Sequence, residues 1–169
     1  NSGGQLGDDR QMMRTTPTLV GTIANLVAIA AGWDFSLALH ADGTVWGWGF
    51  NGEGQLGDGS FSMRATPWQA LFSPGNPVDA VGAIATGGYH SLALRGNGAL
   101  WGWGSYSYSQ LSTGSTLGHT ATPVQAKLDF FTPLLNVSEI ASGSLHSFAR
   151  TADGTLRGWG FSDFGDVGN

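Results

Sequence analysis

A chain of 169 residues with a formal net charge of −5 and Lys127 as its single lysine lacks the basic patch of a nucleic-acid binder, which disfavours DNA, RNA and anionic membranes as partners. No apolar run approaches the roughly 18 residues that a membrane-spanning helix needs, and the absence of cysteine excludes a disulfide framework and thiolate metal sites. The 28 glycines, beside 7 Trp and 9 Phe and only 11% charged residues, argue against both disorder and helices, because glycine costs a helix interior about 1 kcal/mol relative to alanine.

In chain order, the first segment is the turn-rich NSGGQLGDD of residues 1–9, followed by Thr16-Pro17. VAIAAG (27–32) reads as a strand whose small residues suit close packing near an axis. SLALH (36–40) alternates and places Leu37 and Leu39 on one face. The Asp42-Gly43 pair that follows is a hairpin signal, and TVWGWG (44–49) is a third strand with Trp46 and Trp48 on one face, predicted to end at Trp48. After the glycine loop NGEGQLGDG (51–59), TPWQAL (66–71) reads as a fourth, edge-like strand, proline being tolerated at a strand start.

The same elements recur. AAGWDFSLALHADGTVWGWG from Ala30 aligns without gaps with ATGGYHSLALRGNGALWGWG from Ala85 and ASGSLHSFARTADGTLRGWG from Ala141. Trp48, Trp103 and Trp159 stand 55 and 56 residues apart, and Thr-Pro recurs at 16–17, 66–67 and 122–123. The distance from the Thr-Pro proline to the next frame glycine is 15 residues the first time and 20 in the two later copies, which marks that segment as a connecting loop. Repeats therefore run over about 1–50, 51–105 and 106–161, with 162–169 opening another. This periodicity also disposes of a nucleotide site. Residues 47–57 hold two overlapping G-x-G-x-x-G strings, but no helix follows, and the second copy has Ser107 in place of Gly52. A corner needed in every repeat explains these glycines; a cofactor loop would be needed once.

Four short antiparallel strands per unit, repeated radially, is the construction of a propeller blade. The frame glycines Gly32, Gly87 and Gly143, the histidines His90 and His146, the tryptophans of W-G-x-G, and Gln5-Leu6-Gly7 with Gln55-Leu56-Gly57 resemble the regulator of chromosome condensation repeat. The resemblance spans nearly the whole chain and implies an all-β fold of four-stranded antiparallel β-propeller blades, about three of them, in a divergent, bacterial-type member. Phe35 stands where the other copies have histidine, and Arg157 where they have Trp46 and Trp101. Members of this family form seven-bladed rings, so three blades are expected to be a segment of a longer array or to complete a ring with other copies.

His90 and His146 are repeat-equivalent and held a blade apart, so they read as structural histidines, each bonded to the backbone of its own blade, with no metal expected. Asp8, Asp9, Asp58, Asp163 and Asp166 fall mostly in glycine turns, where aspartate caps backbone, and no catalytic residue, cofactor or nucleotide is expected. The Asn136-Val137-Ser138 acceptor triplet leads into an inner strand and is not expected to carry a glycan. Trp33, outside the repeat frame, and Phe50, Tyr106, Tyr108, Phe161 and Phe164, in the loops after W-G-x-G, are the candidate partner-binding residues. The expected function is a non-catalytic protein–protein interaction module, with open blade edges also able to self-associate and without membrane insertion. A carbohydrate-binding propeller is the alternative, and an exchange-factor-type regulator or an enzyme stands third. An extracellular or cell-surface setting is slightly favoured.

Overall fold

Alternating residues flanking Asp-Gly and Asn-Gly turns become antiparallel ladders. In the computed structural model, which describes residues 1–114, 118–162 and 167, every regular element among the described residues is a strand. The first blade is β1 (Leu26–Ala31), β2 (Phe35–His40), β3 (Val45–Gly49) and β4 (Arg64–Gln69), paired in that order. A hairpin of β5 (Leu71–Ser73) and β6 (Asn76–Pro77) leads to the second blade: β7 (Val81–Thr86), β8 (His90–Arg95), β9 (Leu100–Ser105) and β10 (His119–Gln125). The third contributes β11 (Val137–Ser142), β12 (His146–Thr151) and β13 (Leu156–Gly160). The third strands thus end one or two residues past the three tryptophans. The hairpin of β5 and β6 lies in the segment read from sequence as a plain loop.

The Asp-Gly turn is a tight turn followed by one left-handed glycine. Gly43 N donates to His40 O at 2.9 Å, Gly43 has φ 84°, and His40 N closes on Thr44 O at 2.9 Å. Asp42 receives the Thr44 hydroxyl and backbone N–H, at 2.7 and 2.9 Å, which together with His40 hold its carboxyl down at about 2. Burial departs from simple alternation in β2, where Leu37, Ala38 and Leu39 are all buried, because a middle strand has packed neighbours on both faces.

Three equivalent hubs join the repeats. The Gln5 carbonyl accepts the Trp48 indole N–H and the Ser36 hydroxyl, both at 2.9 Å. Gln55 O does the same for Trp103 at 2.9 Å and Ser91 at 2.7 Å, and Gln110 O for Trp159 and Ser147, both at 2.9 Å. In this way each Gln-Leu loop ties down the W-G-x-G and serine-bearing strands of the blade that follows it. Gly57 has φ 71°, and a Cβ there would stand 2.7 Å from the Trp103 indole nitrogen, so that corner requires glycine.

The loop itself is shaped by an asparagine. Asn51, fully buried, accepts Leu56 N–H at 2.9 Å and donates to Ser60 O at 2.9 Å, Ser62 O at 3.1 Å and Asp58 at 3.2 Å. Asn1 repeats the pattern with Leu6 N–H at 2.8 Å, Arg10 O at 2.7 Å and Met12 O at 3.1 Å. Burial works against the charged form of Asp58, but bonds from Arg64 and Ser60 outweigh it and hold the carboxyl below the ordinary range.

One expectation is corrected. His90 is fully buried, but its Nε2 lies 2.9 Å from Ser147 Oγ and 2.8 Å from Ser142 Oγ, both in the third blade, instead of bonding its own backbone. The frame glycine three residues earlier makes room for the ring, since a Cβ on Gly87 would overlap the imidazole.

Candidate functional site

Antiparallel register brings two sets of loops to one end of the blades. Phe35 pairs with Gly49, His90 with Gly104 and His146 with Gly160, so each β1–β2-type turn lies beside the segment leaving W-G-x-G. Backbone bonds staple them: Phe50 N to Asp34 O at 2.8 Å, Ser105 N to Tyr89 O at 2.9 Å, and Phe161 N to Leu145 O at 3.0 Å. Adjacent blades are linked here as well, by Gly88 N to Ser144 O at 2.8 Å and Trp33 N to Gly88 O at 3.4 Å. Side chains on these loops are therefore presented by a rigid frame.

Trp33 leans over Gly88, where a Cβ would stand 3.0 Å from its Cε2, and is 58% exposed. Its ring meets Tyr89 edge to face at 4.9 Å and 71°, and Tyr89 meets Phe50 at 6.2 Å and 64°. The three rings make a continuous ladder across the first two blades. Tyr108 and Phe161 form a second edge-to-face pair at 5.0 Å. Tyr106 stands apart: it occupies the position of Asn51 and packs, half-buried, against the core of the second and third blades. Phe164 lies outside the described residues.

Tyr89 is the residue that sequence reading passed over. It precedes His90 and aligns with Asp34 and Leu145, so the same variability that singled out Trp33 could have found it. The carboxylate next to the ladder is Asp34, which accepts Gln5 Nε2 at 2.9 Å; further out Glu53 pairs with His119 at 3.5 Å. His119 in turn stacks edge to face on Phe61 at 5.0 Å. Among the described residues no three histidine, aspartate or glutamate side chains are grouped to hold a metal ion. The face offers apolar rings, two carboxylates and fixed backbone, which is equipment for contact.

A family model described as the regulator of chromosome condensation (RCC1) repeat matches residues 26–55, 83–110 and 137–166, and another of the same description matches 42–94 and 97–150. The chain belongs to the regulator of chromosome condensation repeat family. It is 32% identical over 170 residues to the human "Probable E3 ubiquitin-protein ligase HERC6", covering 99% of this chain and 16% of that one. Against the ultraviolet-B receptor UVR8 of Arabidopsis thaliana it is 32% identical, covering 99% of this chain and 37% of the receptor. Among solved structures, human WBSCR16 superposes with a TM-score of 0.78 at 25% identity, covering 96% of this chain and 41% of that one. Prp20p of Saccharomyces cerevisiae, described with its binding properties to Gsp1p and histones, gives 0.77 at 28% identity, covering 92% and 36%. The chain thus spans well under half the length of these relatives, and its blades are those of an RCC1-type β-propeller.

Proposed function

We propose that this chain is a non-catalytic interaction module of a β-propeller, and that the loop face carrying Trp33, Tyr89 and Phe50 docks a protein partner. The carrying observation is the exposed aromatic ladder, built at positions the repeat frame leaves free and held by loops stapled to the strands. Aromatic side chains on rigid loops lose little entropy on binding and anchor interfaces. That Prp20p is described as binding proteins supports the reading. The carbohydrate alternative is the weaker one, since the rings meet at 71° and 64° and form no flat platform for a sugar.

The test is capture of partners with the wild-type chain and with Trp33→Ala, a change at a side chain that is mostly exposed, its fold checked by an unchanged Tm. A protein retained by wild type and lost with Trp33→Ala supports the proposal. Retention that ignores Trp33→Ala and Phe50→Ala alike removes the site from this face, and a glycan screen that Trp33→Ala silences establishes the carbohydrate reading instead.

A further inference from the structure

At the opposite end of the blades from the aromatic ladder, one pair of positions recurs in each repeat with different residues and different occupants. In the second repeat the seat is made by Trp101 and Arg95, and Phe72 from the β5–β6 hairpin occupies it. The Phe72 ring meets Trp101 edge to face at 4.8 Å and 69°, with the Arg95 guanidinium 5.5 Å from its centre. In the third repeat the equivalent positions are Arg157 and Thr151, and Leu128, the counterpart of Phe72, lines a groove of about 370 Å³ with them.

The first repeat has Trp46 and His40 at these positions, 55 residues before Trp101 and Arg95, so it keeps the tryptophan of the seat and has histidine in place of the arginine. Its connecting segment is five residues shorter: counted from Pro17 and from Gly32, Thr22 alone spans what Phe72 to Pro77 span in the second. The hairpin and its phenylalanine are the part that is missing. What lies there is an open groove of about 540 Å³ lined by His40, Trp46, Thr22, Ile23 and Pro67.

We infer that this groove binds a protein segment presenting a phenylalanine-type aromatic side chain on a short turn, seated against Trp46 as Phe72 is seated against Trp101. The occupant's chemistry is read from the molecule itself, which shows the ring that the seat accepts and the turn that delivers it. The inference does not depend on the Trp33 face; either can fail without the other.

The probe is the peptide Ala-Leu-Phe-Ser-Pro-Gly-Asn-Pro-Val, the sequence of residues 70–78, titrated into the intact chain and followed by NMR. The Trp46 indole N–H signal, assigned with Trp46→Phe, should shift saturably, and the peptide ring should show nuclear Overhauser contacts to the Ile23 methyls. Replacing the peptide's phenylalanine by alanine should weaken binding about tenfold, the worth of one edge-to-face aromatic contact. A chain in which Thr22 is replaced by the six residues Phe72 to Pro77 should fill its own seat and lose the response. A Trp46 signal that does not move, or moves equally with the alanine peptide, overturns the inference. So does a signal that shifts with protein concentration alone, since the occupant would then be a second copy, whose Phe131 is 86% exposed.

Discussion

Acidification from pH 7 to about pH 4.5 will destabilise this chain by about 2 kcal/mol through His90 alone. The hydroxyl of Ser147 gives its proton to the Gln110 carbonyl at 2.9 Å, so toward His90, also 2.9 Å away, it accepts. With the proton on Nε2, the N–H is shared between the Ser147 and Ser142 hydroxyls, 2.9 and 2.8 Å away. Nδ1 is buried with no hydrogen-bond partner among the described residues, against Gly87. A second proton would create a buried cation with an unanswered N–H. Burial, and after it the charge of His146, push the His90 pKa down from 6.5 to about 4.

The folded value lies below the unfolded one, so as pH falls the unfolded chain takes up the proton first. Stability is complete above the unfolded pKa, falls through the interval and levels off below the folded pKa. The full separation is worth about 3 kcal/mol, of which about 2 is lost by pH 4.5. Asp8, Asp42 and Asp58 are held below the carboxylate value of 3.8, so their contributions fade only at lower pH. Urea unfolding monitored by tryptophan fluorescence across the interval measures the slope. The control is His90→Phe, because Phe35 fills the equivalent place in the first repeat at 1% exposure. A flat wild-type profile, or an equal slope in His90→Phe, would refute the argument.

Gly87→Ala should cost several kcal/mol, since the added Cβ overlaps the His90 ring and stands 2.7 Å from Gly143 O; a large drop in Tm checks it, and an unchanged Tm contradicts it. Asn51→Ala removes the buried side chain that bonds Leu56 N, Ser60 O and Ser62 O, and should cost about 2–4 kcal/mol in urea unfolding. Ala99→Thr should stabilise by about 1 kcal/mol in the same assay. Trp46 Nε1 donates to Thr44 Oγ1 at 3.1 Å, whereas Ala99 holds the equivalent place and leaves Trp101 Nε1 buried and unbonded among the described residues.

The fold was legible because the repeat states it three times. Gly32, Gly87 and Gly143 precede the ring that packs on them by three residues, and each W-G-x-G tryptophan has a glutamine carbonyl waiting in the Gln-Leu loop that precedes its blade. Such contacts recur at equivalent positions in every repeat, so alignment of the chain with itself exposes them. The β5–β6 hairpin was hidden for the opposite reason. It sits in the one segment whose length varies, where Pro74 and Gly75 read as a loop, and no period argues for a strand pair.

The candidate sites fared differently because they arise where the repeats stop being equivalent. Trp33 and Phe50 were visible as aromatics outside the frame, but what joins them is Tyr89, from the next blade, in the slot where Asp34 and Leu145 stand in the other repeats. His90 shows the same limit. Its partners are Ser142 and Ser147, and a serine at 147 recurs as Ser36 and Ser91 for reasons the hub explains, so nothing marked it as a histidine ligand. A repeat motif encodes the contact every blade must make with its neighbour. What differs between blades arises from single substitutions on each side of that boundary, and depends on which two unlike residues meet: Tyr89 beneath Trp33, or Phe72 on Trp101 where the groove at Trp46 is lined by Thr22, Ile23 and Pro67.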